Sequence, residues 1–89
     1  MWDWDEAKRQ RTLQDRGVDF ADVARFDMAT AVIDPDLRRD YGEPRLLALG
    51  MVDGRLHALC FTPRKAGSRV ISLRKANARE NRKWLAGQS

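Results

Sequence analysis

Ser68-Arg69-Val70-Ile71-Ser72-Leu73-Arg74-Lys75-Ala76-Asn77-Ala78-Arg79-Glu80-Asn81-Arg82-Lys83-Trp84-Leu85 changes its periodicity half-way. The first half alternates as a strand does, with Val70, Ser72 and Arg74 on one side and Arg69, Ile71 and Leu73 on the other. From Asn77 onward helical spacing takes over. Asn77 is a good N-cap, and Glu80 three residues later completes a capping-box pair. At about 100° per residue, Ala78, Asn81, Trp84 and Leu85 share one side, and Arg79, Arg82 and Lys83 share the other. The stretch predicts a buried strand feeding a helix with one anchoring face and one face of fixed positive charge. That charge reads either as a surface for a polyanion or as a solvated basic helix end.

Upstream, Arg45–Val52 and Arg55–Thr62 flank Asp53-Gly54, a two-residue turn that favours a tight hairpin and fixes its register. Val52 then faces Arg55, Leu49 faces Ala58, Leu47 faces Cys60 and Arg45 faces Thr62. One face carries Leu47, Leu49, Met51, Leu56, Ala58 and Cys60, and the other Leu46, Ala48, Val52, Leu59 and Phe61. Both are largely apolar, unlike a sheet with one wet side. Helices are expected on one face, and a further helix or a protein partner on the other.

Before the hairpin, Met1–Trp4 reads as a short edge strand with Trp2 and Trp4 on the same side; core packing is the simpler use of the two rings, base stacking the alternative. Asp5 caps a helix to Arg16 that Gly17 ends, with Ala7 and Leu13 as its main apolar positions. Asp19 caps a second helix that stops near Asp27, its buried face supplied by Phe20, Val23, Ala24 and Phe26. Met28–Ile33 reads as a strand ended by Asp34-Pro35, and Asp36–Pro44 as a polar loop. The order β-α-α-β-β-β-β-α gives an α+β fold: a mainly antiparallel sheet of four to five strands, two N-terminal helices and one C-terminal helix.

The 89 residues are expected to form one domain, residues 1–89. A chain this short holds a modest core and no deep, walled-off chamber. Its net charge of +4 conceals an asymmetry, because residues 64–83 carry +7 and the rest −3. Such local basicity points to a polyanion-facing patch. Cys60 is alone in an apolar run, which makes it a core residue and fits a reducing, cytoplasmic setting. No signal-peptide-like or membrane-spanning segment is expected, since the longest uncharged apolar run is Leu46–Val52.

One His and one Cys make no metal site, and neither a glycine-rich phosphate loop nor a nucleophile elbow is present. A lone strand histidine such as His57 is more often structural than a general base. What remains is a dispersed arginine set. Arg45 and Arg64 belong to one end of the hairpin, and Arg74 falls near them or opposite, depending on strand pairing. Guanidinium groups bind phosphate bidentately and stay charged. A ribonuclease that needs no metal would use such a set, because RNA supplies its own 2′-hydroxyl nucleophile and the protein must orient the backbone, stabilise the phosphorane and move protons. Glu80, Glu43 and Lys8 are candidates for the proton step; Glu43 and Glu80 could equally serve only to pair with arginines.

Trp4-Asp5 with Lys8, Gly17-Val18 with Phe20, Gly42-Glu43 with Arg45, and Arg69-Val70-Ile71-Ser72 through Arg74-Lys75-Ala76 to Arg79-Glu80 form an ordered series across nearly the whole chain. In this series the sequence resembles the BrnT family of bacterial toxins. The resemblance implies a ribonuclease toxin with a fold similar to RelE-type toxins, held in check by a ribbon-helix-helix antitoxin of the BrnA type. It maps the family's basic residues onto Lys8, Arg64, Arg74 and Arg79. Two positions depart from it: the family commonly has histidine where Arg16 stands and asparagine where Thr12 stands.

The expectation is therefore an endoribonuclease without metal or cofactor. Arg64, Arg74, Arg79, Glu80 and Lys8 are its catalytic candidates; Arg45, Lys65, Lys75, Arg82 and Lys83 are its RNA-binding candidates. Its partners would be RNA and the antitoxin, in a homodimer or a toxin–antitoxin heterotetramer, with no membrane. The alternatives are a non-catalytic nucleic-acid- or partner-binding module with the same patch, and an inactive relic that still pairs with an antitoxin.

Overall fold

The structure, a computed structural model, describes residues 1–88. The elements run β1 (Trp2–Asp3), α1 (Glu6–Arg16), a 3-10 helix (Phe20–Arg25), β2 (Val32–Pro35), β3 (Leu46–Val52), β4 (Arg55–Arg64), β5 (Gly67–Lys75) and α2 (Ala78–Gly87). The strands form one mixed sheet in the order β1-β5-β4-β3-β2, parallel between β1 and β5 and antiparallel elsewhere.

The hairpin turn sets the register. Asp53 at φ 51° and Gly54 at φ 79° are both left-handed, the geometry whose twist matches that of two antiparallel strands. Val52 faces Arg55, Leu49 faces Ala58 and Leu47 faces Cys60, and both expected faces follow. Ala48, Val52, Leu59 and Phe61 join Val18, Phe20, Val23, Phe26, Val70 and Leu73 in the main core. Leu49, Leu56 and Ala58 form a smaller cluster with half-buried Leu47, Met51, Ala76 and Trp84 on the other side. Gly50 is needed here, because a Cβ would come within 2.5 Å of the Phe26 ring. Trp2 packs edge-to-face on Phe61 with ring centroids 5.4 Å apart, so Trp2 and Trp4 close the main core rather than offering a stacking platform.

Three local expectations are corrected. The second helix is a 3-10 helix, short because the chain must turn Phe20, Val23 and Phe26 onto the sheet within about two windings. The strand expected at Met28–Ile33 begins only at Val32. Asp27 diverts the preceding backbone into a turn: its carboxylate accepts the Ala29 N–H at 3.0 Å and the Thr30 hydroxyl at 2.8 Å. Strict alternation in β5 fails at a bulge, where Cys60 faces Ser72 and Phe61 faces Val70, leaving Ile71 without a partner. The extra residue lets Val70 and Leu73 enter the same core.

Helix α2 is corrected as well. Its Asn77–Glu80 capping box is present, but the helix meets the sheet along Glu80, Trp84 and Gly87. A Cβ on Gly87 would lie 2.6 Å from Val32 Cγ2. Trp84 Nε1 and Gln88 Nε2 both donate to the Thr30 carbonyl, at 3.1 and 3.0 Å. Leu85, expected to anchor, is 61% exposed. In α1, likewise, Ala7 and Leu13 are exposed and no residue is buried; the Arg9 guanidinium holds the helix down by donating twice to Asp19, at 2.6 and 3.0 Å.

Candidate active site

Helix α2 leaves a cleft of about 430 Å³ between itself and the sheet, with Leu47 and Leu49 in its floor. Its walls carry four cations, Arg38, Arg74, Arg79 and Lys83, against two carboxylates, Asp34 and Glu80. Strand β2, the loop after it, the end of β5 and two successive turns of α2 each contribute.

Arg74 is the best-positioned cation. Its Nη1 donates to Glu80 Oε1 at 2.7 Å and its Nη2 to Oε2 at 2.8 Å, a bidentate pair in which the Glu80 side chain is 15% exposed. Nη1 also reaches the Lys75 carbonyl at 3.4 Å. A guanidinium has five N–H groups. The Nε–H and the second Nη2–H, which point along the adjacent edge, bond to nothing among the described residues, so Arg74 keeps a second fork for an anion.

Glu80 serves the helix at the same time: Oε1 accepts the Asn77 N–H at 3.0 Å, and Asn77 Oδ1 accepts the Glu80 N–H at 2.8 Å. The Arg74 hydrogen bonds, with help from Asn77, hold the Glu80 carboxyl below its ordinary range. It is an ionised brace at neutral pH and a weak proton acceptor.

Arg38 is fixed from behind. Asp36 is buried, its side chain 1% exposed, and accepts Arg38 Nε at 2.8 Å and Nη2 at 2.6 Å, with the Tyr41 hydroxyl at 3.3 Å. The Arg38 guanidinium keeps Asp36 charged, its pKa far below the usual carboxylate value despite burial. Lys83 Nζ lies 2.7 Å from Asp34 Oδ2. Arg79 has no carboxylate partner among the described residues.

The residues expected from sequence do not meet as one set. Arg74, Arg79, Glu80 and Lys83 share the cleft, while Arg82 is exposed outside its walls. Arg64 and Arg45 are at the far end of the hairpin, where Glu43 bridges them at 3.8 and 3.5 Å. Arg45 stacks on Tyr41, 4.0 Å from the ring centroid. Lys65 sits in the β4–β5 turn. Antiparallel pairing causes this separation: Arg64 faces Gly67 at one end of β5, and Ala58 faces Arg74 near the other. Lys8 is on α1, next to the 3-10 helix that closes the main core, and does not line the cleft. Lys75 and Arg16 flank Arg74 on its other side.

Arg38 and Asp34 had not been singled out from sequence. The one available signal was the Asp34-Pro35 strand end, which pairing with β3 carries to the cleft wall as Asp34 faces Leu47. Cys60 and His57 are both buried. Burial pushes the Cys60 thiol up, away from nucleophilic use. His57 Nδ1 lies 2.8 Å from the Arg55 carbonyl oxygen, a local contact within its own strand. Among the described residues no group of three or more His, Cys, Asp or Glu side chains is placed to hold a metal ion.

The sequence model of BrnT, the ribonuclease toxin of type II toxin–antitoxin systems, matches residues 4–80. The chain belongs to the BrnT family. No curated protein matches it. As a BrnT toxin it has RNA as its substrate class and an antitoxin as its partner. The matched stretch contains Asp34, Arg38, Arg74, Arg79 and Glu80 and ends before Lys83. No helix among the described residues is long and apolar enough to cross a membrane.

Proposed function

We propose that the cleft under α2 is where this BrnT protein cleaves RNA, by metal-independent attack of a 2′-hydroxyl on the neighbouring phosphorus. The 2′-oxygen loses its proton and bonds to phosphorus, the bond from phosphorus to the 5′-oxygen breaks, and that oxygen takes up a proton. The products are a 2′,3′-cyclic phosphate and a 5′-hydroxyl. The protein must stabilise the charge that builds on the phosphorane oxygens, which donors fixed in advance do best.

The observation that carries this reading is the free fork of Arg74. Glu80 holds the guanidinium rigid from one side while Nε–H and Nη2–H remain unengaged. Arg79 and Arg38 add charge from neighbouring walls. Glu80 has both oxygens engaged by Arg74, which leaves Asp34 as the cleft carboxylate to accept the 2′-hydroxyl proton and Lys83, in contact with it, to return one. In this reading Arg64 and Lys8 act away from the reacting phosphate. Membership of the BrnT family also supports the RelE-type likeness, a cytoplasmic setting and a ribbon-helix-helix antitoxin of the BrnA type.

The test is degradation of RNA by purified protein with EDTA present. Cleavage should survive chelation, leave cyclic-phosphate ends, and fall by about 100- to 1,000-fold in Arg74→Ala, the usual cost of losing one oxyanion donor. Loss of cleavage on chelation, or an unchanged rate in a folded Arg74→Ala variant, sinks the proposal. Salt-sensitive RNA binding without cleavage would favour the binding-module alternative.

A further inference from the structure

Arg74 is a wall of two hollows. Besides the cleft, it lines a smaller depression of about 200 Å³ with Arg16, Val18 and Lys75. Three of these four residues are cationic and none is acidic. Strand β1 pairs with β5 only at Ser68 and Arg69, so the flank of β5 near Arg74 is left open to the end of α1. Gly17 turns the chain there in a left-handed conformation at φ 68°, its N–H donating to the Leu13 carbonyl at 3.0 Å, and Val18 drops into the main core. The turn leaves Arg16 at the helix C-terminus, where the macrodipole favours a cation.

Like charges gathered without a counter-ion raise each other's energy unless an anion arrives. Neither Arg16 nor Lys75 has a carboxylate within ion-pair distance among the described residues, and both are exposed. The groove around Tyr41 is a useful contrast. It also holds arginines, Arg39 and Arg45, but Asp36, Asp40 and Glu43 share its lining. Uncompensated charge is thus concentrated beside Arg74 rather than spread over every arginine-containing groove.

We infer that Arg16 and Lys75 form a second phosphate subsite, holding the RNA backbone phosphate next to the one in the cleft, with Arg74 between them. This rests on the cleft being the RNA site and deepens that reading. It gives the strand a path: across the end of β5, past Arg74, and under α2 towards Arg38. It also makes Arg16 an RNA-binding residue, a position that charge counting alone did not select because Arg16 lies outside the basic C-terminal third.

The subsite is tested with a mixed-sequence oligoribonucleotide carrying 2′-O-methyl groups throughout, which binds but has no attacking hydroxyl. For single strands the slope of log K against log salt falls by about 0.7 for each phosphate contact removed. Arg16→Ala and Lys75→Ala should each make the slope shallower by up to about that amount, and the double variant by more than either. Arg11→Ala, about 140° around α1 from Arg16, should leave it unchanged, and Arg16→Lys should retain most of it. With cleavable RNA, wild-type protein should turn over a trinucleotide faster than a dinucleotide, and the double variant should lose most of that advantage.

Unchanged slopes in folded Arg16→Ala and Lys75→Ala proteins overturn the subsite. So does an unchanged slope accompanied by weaker antitoxin binding, which would assign the hollow to the protein partner. Failure of the catalytic reading looks different: wild-type protein leaves RNA intact, while the salt slopes still report the subsite.

Discussion

On one face of the sheet Phe20, Val23 and Phe26 press onto Leu59, Val70 and Leu73, and all six are buried. On the other, α2 touches the strands through half-buried Trp84 and contributes no buried residue, and charge lines the gap beneath it. The two faces divide the work. Apolar area removed from water supplies most folding free energy, so a small domain that spends one face on closing its core can leave the other open to solvent and to ligands. Substitutions on the first face should therefore be read in unfolding curves, and those on the second in RNA cleavage.

The sharpest way to break that division is Phe20→Ala. Removing a fully buried ring should cost about 3–5 kcal/mol, a large share of the ~5–15 kcal/mol that holds a typical domain together. Urea unfolding should show the midpoint collapsing. A loss below about 1 kcal/mol, outside the range for such truncations, would mean the main core does not carry the fold.

Glu80→Gln should do the reverse. Glutamine keeps the capping-box geometry but removes the charge that fixes Arg74. Partly exposed ion pairs contribute at most about 1 kcal/mol, so unfolding should barely move, whereas cleavage should drop about tenfold through looser placement of the guanidinium. An unchanged cleavage rate in the folded variant would show that Glu80 matters only to the helix.

The smallest effect is a pH dependence. Asp36 has its pKa depressed in the folded protein, chiefly by its hydrogen bonds from Arg38. A depressed carboxylate contributes stability that is whole above its unfolded value, about 4, and is lost as pH falls through the folded value. Wild type and Asp36→Asn should differ in urea midpoint by a constant amount from pH 7 to pH 5, with the gap narrowing below about pH 4. A gap that does not change with acid would mean that Asp36 is not ionised behind Arg38.

The hairpin was legible because its determinants are local: Asp53-Gly54 fixes the turn, and the turn fixes which side chains share a face. The helix caps at Asp5, Asp19 and Asn77 were legible for the same reason. The bulge at Ile71 was not, since an inserted residue leaves the apolar alternation intact on paper and only the facing strand reveals it. The packing side of α2 is not legible from its apolar residues, because Glu80 is drawn inward by Arg74 and Leu85 is left outside. For the site, Arg74, Arg79, Glu80 and Lys83 could be grouped from one continuous stretch. Arg38 and Asp34 reach them only through pairing of β2 with β3, which no local pattern announces.

Helix α2 fastens through Glu80, Lys83, Trp84 and Gln88, and none of the ten buried residues of the main core belongs to it. A premature stop codon just after Ala76 would therefore delete Arg79 and Lys83 while sparing that core. Escape from this toxin by nonsense mutation would thus strip the cleft of its charge before it reached the main core, while uncovering Leu49, Leu56 and Ala58 on the sheet's other face.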